Sequence, residues 1–279
     1  MGMTERQAWR WRGPAAALRV IVSAMLVATA AWPGWAEETG DLYRATAIVT
    51  GTDMRSRPAG FAHALREVLV KLSGEPRLEK DPRTAELTVH ADLLVTSFDY
   101  VDQLAGIPIH DDQGTYDRPH DLTVRFDPRR IDEALAQLGE RPWRGVRPVI
   151  VPVLAVRGFA VAYLLSAEQP AAAEQRGSLA SVAGEYGVTV RIPTEAELAA
   201  WGVVVGGFPS LPAASVSNQA LVAGTLEFRE VLPGWVGSWR MRWHDTDYAW
   251  GISGVNYDTA FRSIVRGVVR VASGHGNPD

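Results

Sequence analysis

The chain has 279 residues, a formal net charge of −4 and no cysteine. With 47% hydrophobic and 22% charged residues, its composition is typical of a folded globular protein and excludes a largely disordered chain. The lack of cysteine excludes a disulfide framework, a thiolate metal site and a cysteine nucleophile.

The N-terminal segment predicts export. Four arginines precede a twelve-residue apolar run, Val20–Ala31, which is too short for a membrane span of about 20 residues. Gly34 and Ala36 supply small residues at the third and first positions before Glu37, where we expect cleavage. Residues 1–36 are therefore predicted to be a signal peptide, and the mature protein is predicted to be periplasmic.

Cleavage would make the protein more acidic. The removed segment carries four arginines and one glutamate, so the net charge would fall from −4 to −7. An acidic exported protein is a poor candidate for binding nucleic acid or anionic lipid. We therefore expect an envelope protein as partner, no nucleic acid, and no transmembrane segment after cleavage of the signal peptide.

A first α+β domain is predicted over residues 41–141. Its central element is an amphipathic helix at Phe61–Gly74, with Pro58 near its start and Gly74 as a left-handed cap. Arg66 and Glu67 are expected on the solvated face of this helix. The other predicted elements are strands at 42–49, 93–104 and 122–126 and helices at 81–91 and 129–138. Their order, β-α-α-β-β-α, indicates a small layered fold.

A second α+β domain is predicted over residues 146–274, after a joint at 141–145. Pro148 and Pro152 argue that its first strand lies at an edge or contains a bulge. The further predicted elements are strands at 159–165, 188–192, 221–231, 238–244 and 248–255 and helices at 171–186, 194–201 and 259–272. Residues 275–279 are predicted to be a disordered tail. We expect each domain to be a mostly antiparallel sheet covered by helices.

A set of short motifs resembles an uncharacterised family. The motifs are the run from Leu42 through Leu72-Ser73-Gly74, Ile107–Thr115, Asp121–Asp127, Pro142-Trp143, Arg147-Pro148, Gly224-Thr225-Leu226 and the pair Trp235 and Trp239. Together they resemble the exported proteobacterial proteins described as domain of unknown function 2066. The resemblance implies export and the fold, but it implies no activity and no site residues.

The strongest metal-like pattern lies in a loop rich in glycine and proline. His110, Asp112 and His120, with Asp121 beside them, offer imidazole and carboxylate groups of the kind that bind zinc. A zinc site needs about three or four converging ligands, whereas neighbours on an extended chain point apart. A solvated loop with Asx turns explains the same residues. We therefore expect no metal and no cofactor.

The tryptophans near the C-terminus form the second candidate site. Trp235, Trp239 and Trp243 could stack on a sugar or contact a partner. Trp239, Met241 and Trp243 also share one face of an alternating strand, opposite a closing helix with an apolar stripe. We expect that helix to cover the tryptophans and to make them part of the core.

The search for catalytic motifs is negative. The sequence has no G-x-S-x-G, S-x-x-K or H-E-x-x-H, and no P-loop or Rossmann fingerprint. The leading hypothesis is a non-enzymatic periplasmic accessory or binding protein. The alternative is a periplasmic hydrolase or metal-binding enzyme centred on the loop from His110 to Asp121. A third class, a solute-binding protein, requires a cleft between the two domains.

Overall fold

The computed structural model describes residues 42–107, 118–213, 217–231 and 233–278. Helices and two mostly antiparallel sheets make up these residues, which confirms the predicted α+β class. The predicted signal peptide lies outside the described residues. Both sheets belong to one compact unit.

The first sheet contains three antiparallel strands. These are β1 (Arg44–Thr50), β2 (Val95–Asp102) and β3 (Pro119–Phe126), in the order β1-β3-β2. Helix α1 (Arg57–Ser73) packs on one face of this sheet. Leu65, Val68, Leu69 and other side chains of its apolar face are fully buried, as their helical spacing predicts.

Both ends of α1 follow from its sequence. Pro58 lies in the first turn, where its missing N–H has no helical partner to lose. Gly74 ends the helix at a φ of 74°, a left-handed conformation that glycine adopts without steric cost. The predicted cap is therefore confirmed, and the helix starts about one turn earlier than its apolar pattern indicates.

Two short helices complete this part of the chain. They are α2 (Pro82–Thr88) and α3 (Pro128–Gln137), and 3-10 turns lie at Pro76–Lys80 and Ala91–Leu94. The Asp127 carboxylate accepts hydrogen bonds from the backbone N–H groups of Arg129 and Arg130 at 2.9 and 3.2 Å. This contact satisfies two of the N–H groups that a helix start leaves without partners, so the predicted N-cap is confirmed.

The second sheet contains six strands. They are β4 (Val149–Arg157), β5 (Ala162–Leu164), β6 (Thr189–Val190), β7 (Gln219–Arg229), β8 (Gly234–Trp243) and β9 (Thr246–Val255). Five of them follow the order β5-β4-β7-β8-β9, and β6 also pairs with β4. The pairs of β4 with β6 and with β7 are parallel, and the other pairs are antiparallel.

Three helices accompany the second sheet: α4 (Ala173–Glu185), α5 (Glu195–Ala200) and α6 (Tyr257–Ala272). Helix α6 packs against β8 and β9, as predicted. The indole N–H of Trp250 on β9 donates to the Ser263 carbonyl on α6 at 3.1 Å. Trp239 and Met241 of β8 are buried, whereas Trp243 at the end of the strand is only partly buried.

The prediction that prolines place the first strand of the second sheet at an edge is wrong, because β4 lies inside the sheet. The Ile150 carbonyl accepts from Arg191 beside β6, and the Leu154 carbonyl accepts from Leu165 beside β5. Pro152 lies two residues from each of them, so its backbone groups face the same side of β4. On that side it lies in the gap between the short strands β6 and β5. Its missing N–H therefore costs no ladder hydrogen bond.

One hydrophobic cluster connects the two sheets. Leu69 and Leu122 from the first sheet belong to the same buried cluster as Ile150 and Trp239 from the second. At the predicted joint, the backbone N–H of Trp143 donates to the Leu72 carbonyl at 2.7 Å. The division into domains at 41–141 and 146–274 remains a prediction.

The C-terminal segment that was predicted to be a disordered tail makes hydrogen bonds. The Arg270 guanidinium donates to the carbonyl oxygens of His275 and Asn277 at 2.6 and 3.0 Å. The His275 Nε2 lies 3.0 Å from a carboxylate oxygen of Glu140. These contacts connect the end of the chain to the segment that follows α3.

Candidate functional site

A cleft of about 840 Å³ opens beside the first sheet. One wall consists of β1 and α1, and the opposite wall consists of the C-terminal end of α4 and part of α6. Its ionisable side chains are Arg44, His63, Arg66, Glu67, Lys71, Glu79, Glu185, Tyr186 and Arg262. The cleft therefore combines the strand β1 with nine ionisable side chains.

A buried ion pair lies on the α1 wall. The Lys71 Nζ is 3.1 Å from a carboxylate oxygen of Glu67, one helical turn away, and the two side chains are only 8% and 15% exposed. The Lys71 Nζ also donates to the Arg44 carbonyl of β1 at 2.9 Å. Burial raises the pKa of Glu67, and the positive charge of Lys71 opposes this shift.

The opposite wall holds two further carboxylates. The Tyr186 hydroxyl donates to Glu79 at 2.7 Å, and an Arg266 nitrogen lies 3.3 Å from the other oxygen of Glu79. Arg262 binds Glu185 through both carboxylate oxygens. Burial raises the pKa of the Tyr186 phenol, so this hydroxyl remains a donor at neutral pH.

Arg66 differs from Lys71 and Arg262, each of which contacts a carboxylate. Its guanidinium donates to the Ala62 carbonyl at 3.3 Å and to the Thr88 hydroxyl at 3.0 Å, and both acceptors are neutral. Four lysine or arginine side chains and three carboxylates line the cleft. The cleft therefore has a small surplus of positive charge, although the chain has a net charge of −4.

The structure describes only one of the three predicted metal ligands. His110 and Asp112 lie outside the described residues. The His120 Nδ1 lies 2.8 Å from the Arg118 carbonyl, and its ring meets the Tyr100 ring edge-on. Within the described ranges, no three His, Asp or Glu side chains are arranged to hold a metal ion. The expectation that these residues hold no metal remains a prediction.

The three candidate tryptophans lie away from the cleft. Trp239 is 1% exposed and lies over Gly224 and Gly237, where a Cβ would come within 2.5 and 2.2 Å of its ring. Trp235 is partly buried, with its ring centre 5.6 Å from that of Phe228. Trp243 lines a separate depression of about 510 Å³. Trp239 therefore lies in the core, as expected, and the alternative of a binding role for Trp235 and Trp243 remains a hypothesis.

Sequence reasoning missed the residues of the cleft. The prediction that Glu67 lies on a solvated face is wrong, because the second wall covers that side of α1. A signal was present, since Glu67 and Lys71 are charged residues four positions apart. The same spacing is common on exposed helices, so it could not identify a cleft.

Comparison with known proteins gives one match. Residues 36–144 match a family model described as Domain of unknown function (DUF8605). The resemblance to domain of unknown function 2066 is therefore wrong. No curated protein and no solved structure shows significant similarity to the chain. The matched region includes β1 and α1, so it contains one wall of the cleft.

Among the described residues, no helix combines the length and the apolar character that a membrane crossing requires.

Proposed function

We propose that the protein is a non-enzymatic, exported binding protein of the cell envelope that holds a partner in the cleft beside β1. The cleft carries this proposal. Its volume of about 840 Å³ falls within the range of about 300–1,000 Å³ that is usual for ligand sites. The N-terminal arginines, apolar run and small residues at 34 and 36 support export.

The contacts of the acidic side chains favour binding over catalysis. Glu67, Glu79 and Glu185 each accept a hydrogen bond or an ion pair from a neighbouring side chain. Such contacts fix the position of a carboxylate, which suits the recognition of a partner. The charged lining also suits an envelope partner with polar side chains better than an apolar ligand.

One observation favours hydrolysis as a second candidate function. Glu67 lies in the cleft, and burial raises the pKa of its carboxyl group. Carboxyl groups with a raised pKa act as general acids in many enzymes. On this account Glu67→Gln would abolish turnover and leave ligand affinity nearly unchanged. The alternative of a hydrolase or metal-binding enzyme centred on the loop from His110 to Asp121 concerns a different site and remains a hypothesis.

Site-specific photocrosslinking tests the binding function. Ser181 and Gly177 both lie exposed on α4, but only Ser181 lines the cleft. A photoreactive phenylalanine at Ser181 should form an adduct with a partner protein in cells that export the protein. The same substitution at Gly177 should form little or none. Equal adducts from both positions, or none from Ser181, would contradict the proposal.

A further inference from the structure

The outer edge of β1 lies in the wall of the cleft. In the order β1-β3-β2, β1 has a strand neighbour on one side only. Thr46 and Ile48 of this strand line the cleft. A strand edge presents a row of backbone donors and acceptors that can pair with another chain.

The hydrogen bonds at the two ends of β1 determine which residues face outward. The Tyr43 carbonyl accepts from Phe126, and the Gly51 N–H donates to Arg118. In an antiparallel ladder without a bulge, residues of the same parity form the hydrogen-bonded pairs with β3. The N–H and C=O groups of Thr46 and Ile48, which have the other parity, therefore point away from β3.

A contact from α1 confirms this direction. The Arg44 carbonyl, which shares the parity of Thr46 and Ile48, accepts from the Lys71 Nζ at 2.9 Å. Lys71 therefore closes one end of the outer edge. The outward groups of Thr46 and Ile48 remain available beside the cleft, and among the described residues no strand pairs with them.

We propose that the cleft holds an extended acidic segment of a partner protein, which adds to the outer edge of β1 as a fourth strand. This inference rests on the proposed binding function. Backbone pairing supplies affinity in such complexes, and side-chain pockets supply specificity. The surplus positive charge of the cleft, with Arg66 bonded only to neutral oxygens, selects an aspartate or glutamate of the segment.

The same charges disfavour a second copy of the chain as the occupant. Pairing of two β1 edges would bring two cleft walls with surplus positive charge together. Like charges across an interface are unfavourable. An acidic segment would instead neutralise this charge.

A phage-displayed library of random dodecapeptides tests the inference on the full mature protein. We expect the selected peptides to be rich in aspartate or glutamate. Ile48→Pro removes an outward N–H that makes no ladder bond, and it should weaken the selected peptides about tenfold or more. Ile48→Thr keeps the N–H and changes only a side chain that is 72% exposed, so it should leave the affinity nearly unchanged.

N-methylated peptides provide a test that does not depend on the folding of a variant. Methyl groups on the peptide nitrogens that face β1 should abolish binding, whereas methyl groups on the nitrogens between them should spare it. Equal effects of the two methylation patterns, enrichment of basic peptides, or full binding by Ile48→Pro would overturn strand addition. A dimer that Ile48→Pro dissociates would also overturn it, because the edge would then hold a second copy.

Gly184→Trp, which fills the cleft, distinguishes this failure from a failure of the proposed function. Binding that Gly184→Trp blocks and Ile48→Pro spares would retain the cleft and refute the added strand. Peptides that neither variant weakens, or a selection without enrichment, would overturn strand addition in the cleft. In that last case the Ser181 adduct would still decide the binding function independently.

Discussion

An Arg270 nitrogen on α6 lies 2.9 and 3.1 Å from the two carboxylate oxygens of Glu75, which follows α1 in the first part of the chain. The two side chains are only 4% and 9% exposed. A buried charge is costly unless it is paired, so each residue requires the other. This ion pair thereby fixes the position of α6 against the end of α1.

Arg270→Met should lower the free energy of unfolding by about 3–5 kcal/mol, because it leaves the Glu75 carboxylate buried beside a methionine. Urea denaturation measures this loss. Arg242→Met provides the control, since the Arg242–Asp247 pair is about two-thirds exposed and should contribute less than about 1 kcal/mol. Equal losses in the two variants would show that the Glu75 pair has no special role.

Leu69→Ala should destabilise the protein by about 2–5 kcal/mol, because Leu69 is fully buried between α1 and the first sheet. Val89→Ala truncates a side chain that is exposed and should change stability by less than about 0.5 kcal/mol. Denaturant melts of both variants provide the comparison. A similar small loss for Leu69→Ala would refute the assignment of this helix face to the core.

Trp239→Ala should cost about 3–5 kcal/mol and lower the soluble yield, because the ring fills the space above two glycines. Trp243→Ala should cost clearly less, because Trp243 is only partly buried at the end of β8. Thermal melts of the two purified variants test this order. The reverse order would mean that the aromatic core of the second sheet is centred on Trp243.

The buried Glu67 carboxyl predicts a specific dependence of stability on pH. Burial raises its pKa above the ordinary value of 4.5, so the folded state favours the protonated form. The stability that this group contributes is fully present below its unfolded pKa and is lost as the pH rises through its folded pKa. The wild type should therefore lose stability relative to Glu67→Gln between acidic and neutral pH.

Urea denaturation at several pH values measures this difference. A difference that stays constant, or that changes in favour of the wild type as the pH rises, would refute the raised pKa.

The sequence predicts local structure best where a helix or strand carries its own signals. Gly74 and Asp127 determine helix ends through their own conformation and side-chain contacts. The alternation of Trp239 and Met241 likewise predicts which face of β8 is buried. Each of these signals lies within a few residues of the feature that it determines.

The cleft has no such local signal. It forms where β1 and α1 meet α4 and α6, and the first two elements lie about 100 residues or more before the other two in the chain. The charged residues around Glu67 have the spacing of a solvated helix face. Only the wall formed by α4 and α6 shields Glu67 from solvent. The position of Pro152 inside the sheet also depends on distant segments, because β7 pairs with β4 from about 70 residues further along the chain.

The affinity of the cleft for its partner shows whether the partner binds in the cleft. Gly184 and Gly177 lie on the same helix, a Cβ on either would meet no atom within 4 Å, and only Gly184 lines the cleft. Tryptophan at either position should therefore leave the fold intact.

Calorimetric titration with the partner captured through Ser181 compares the two variants. Gly184→Trp should weaken binding about tenfold or more, whereas Gly177→Trp should bind like the wild type. Unchanged affinity in Gly184→Trp, with a melting curve that shows an intact fold, would contradict binding in the cleft.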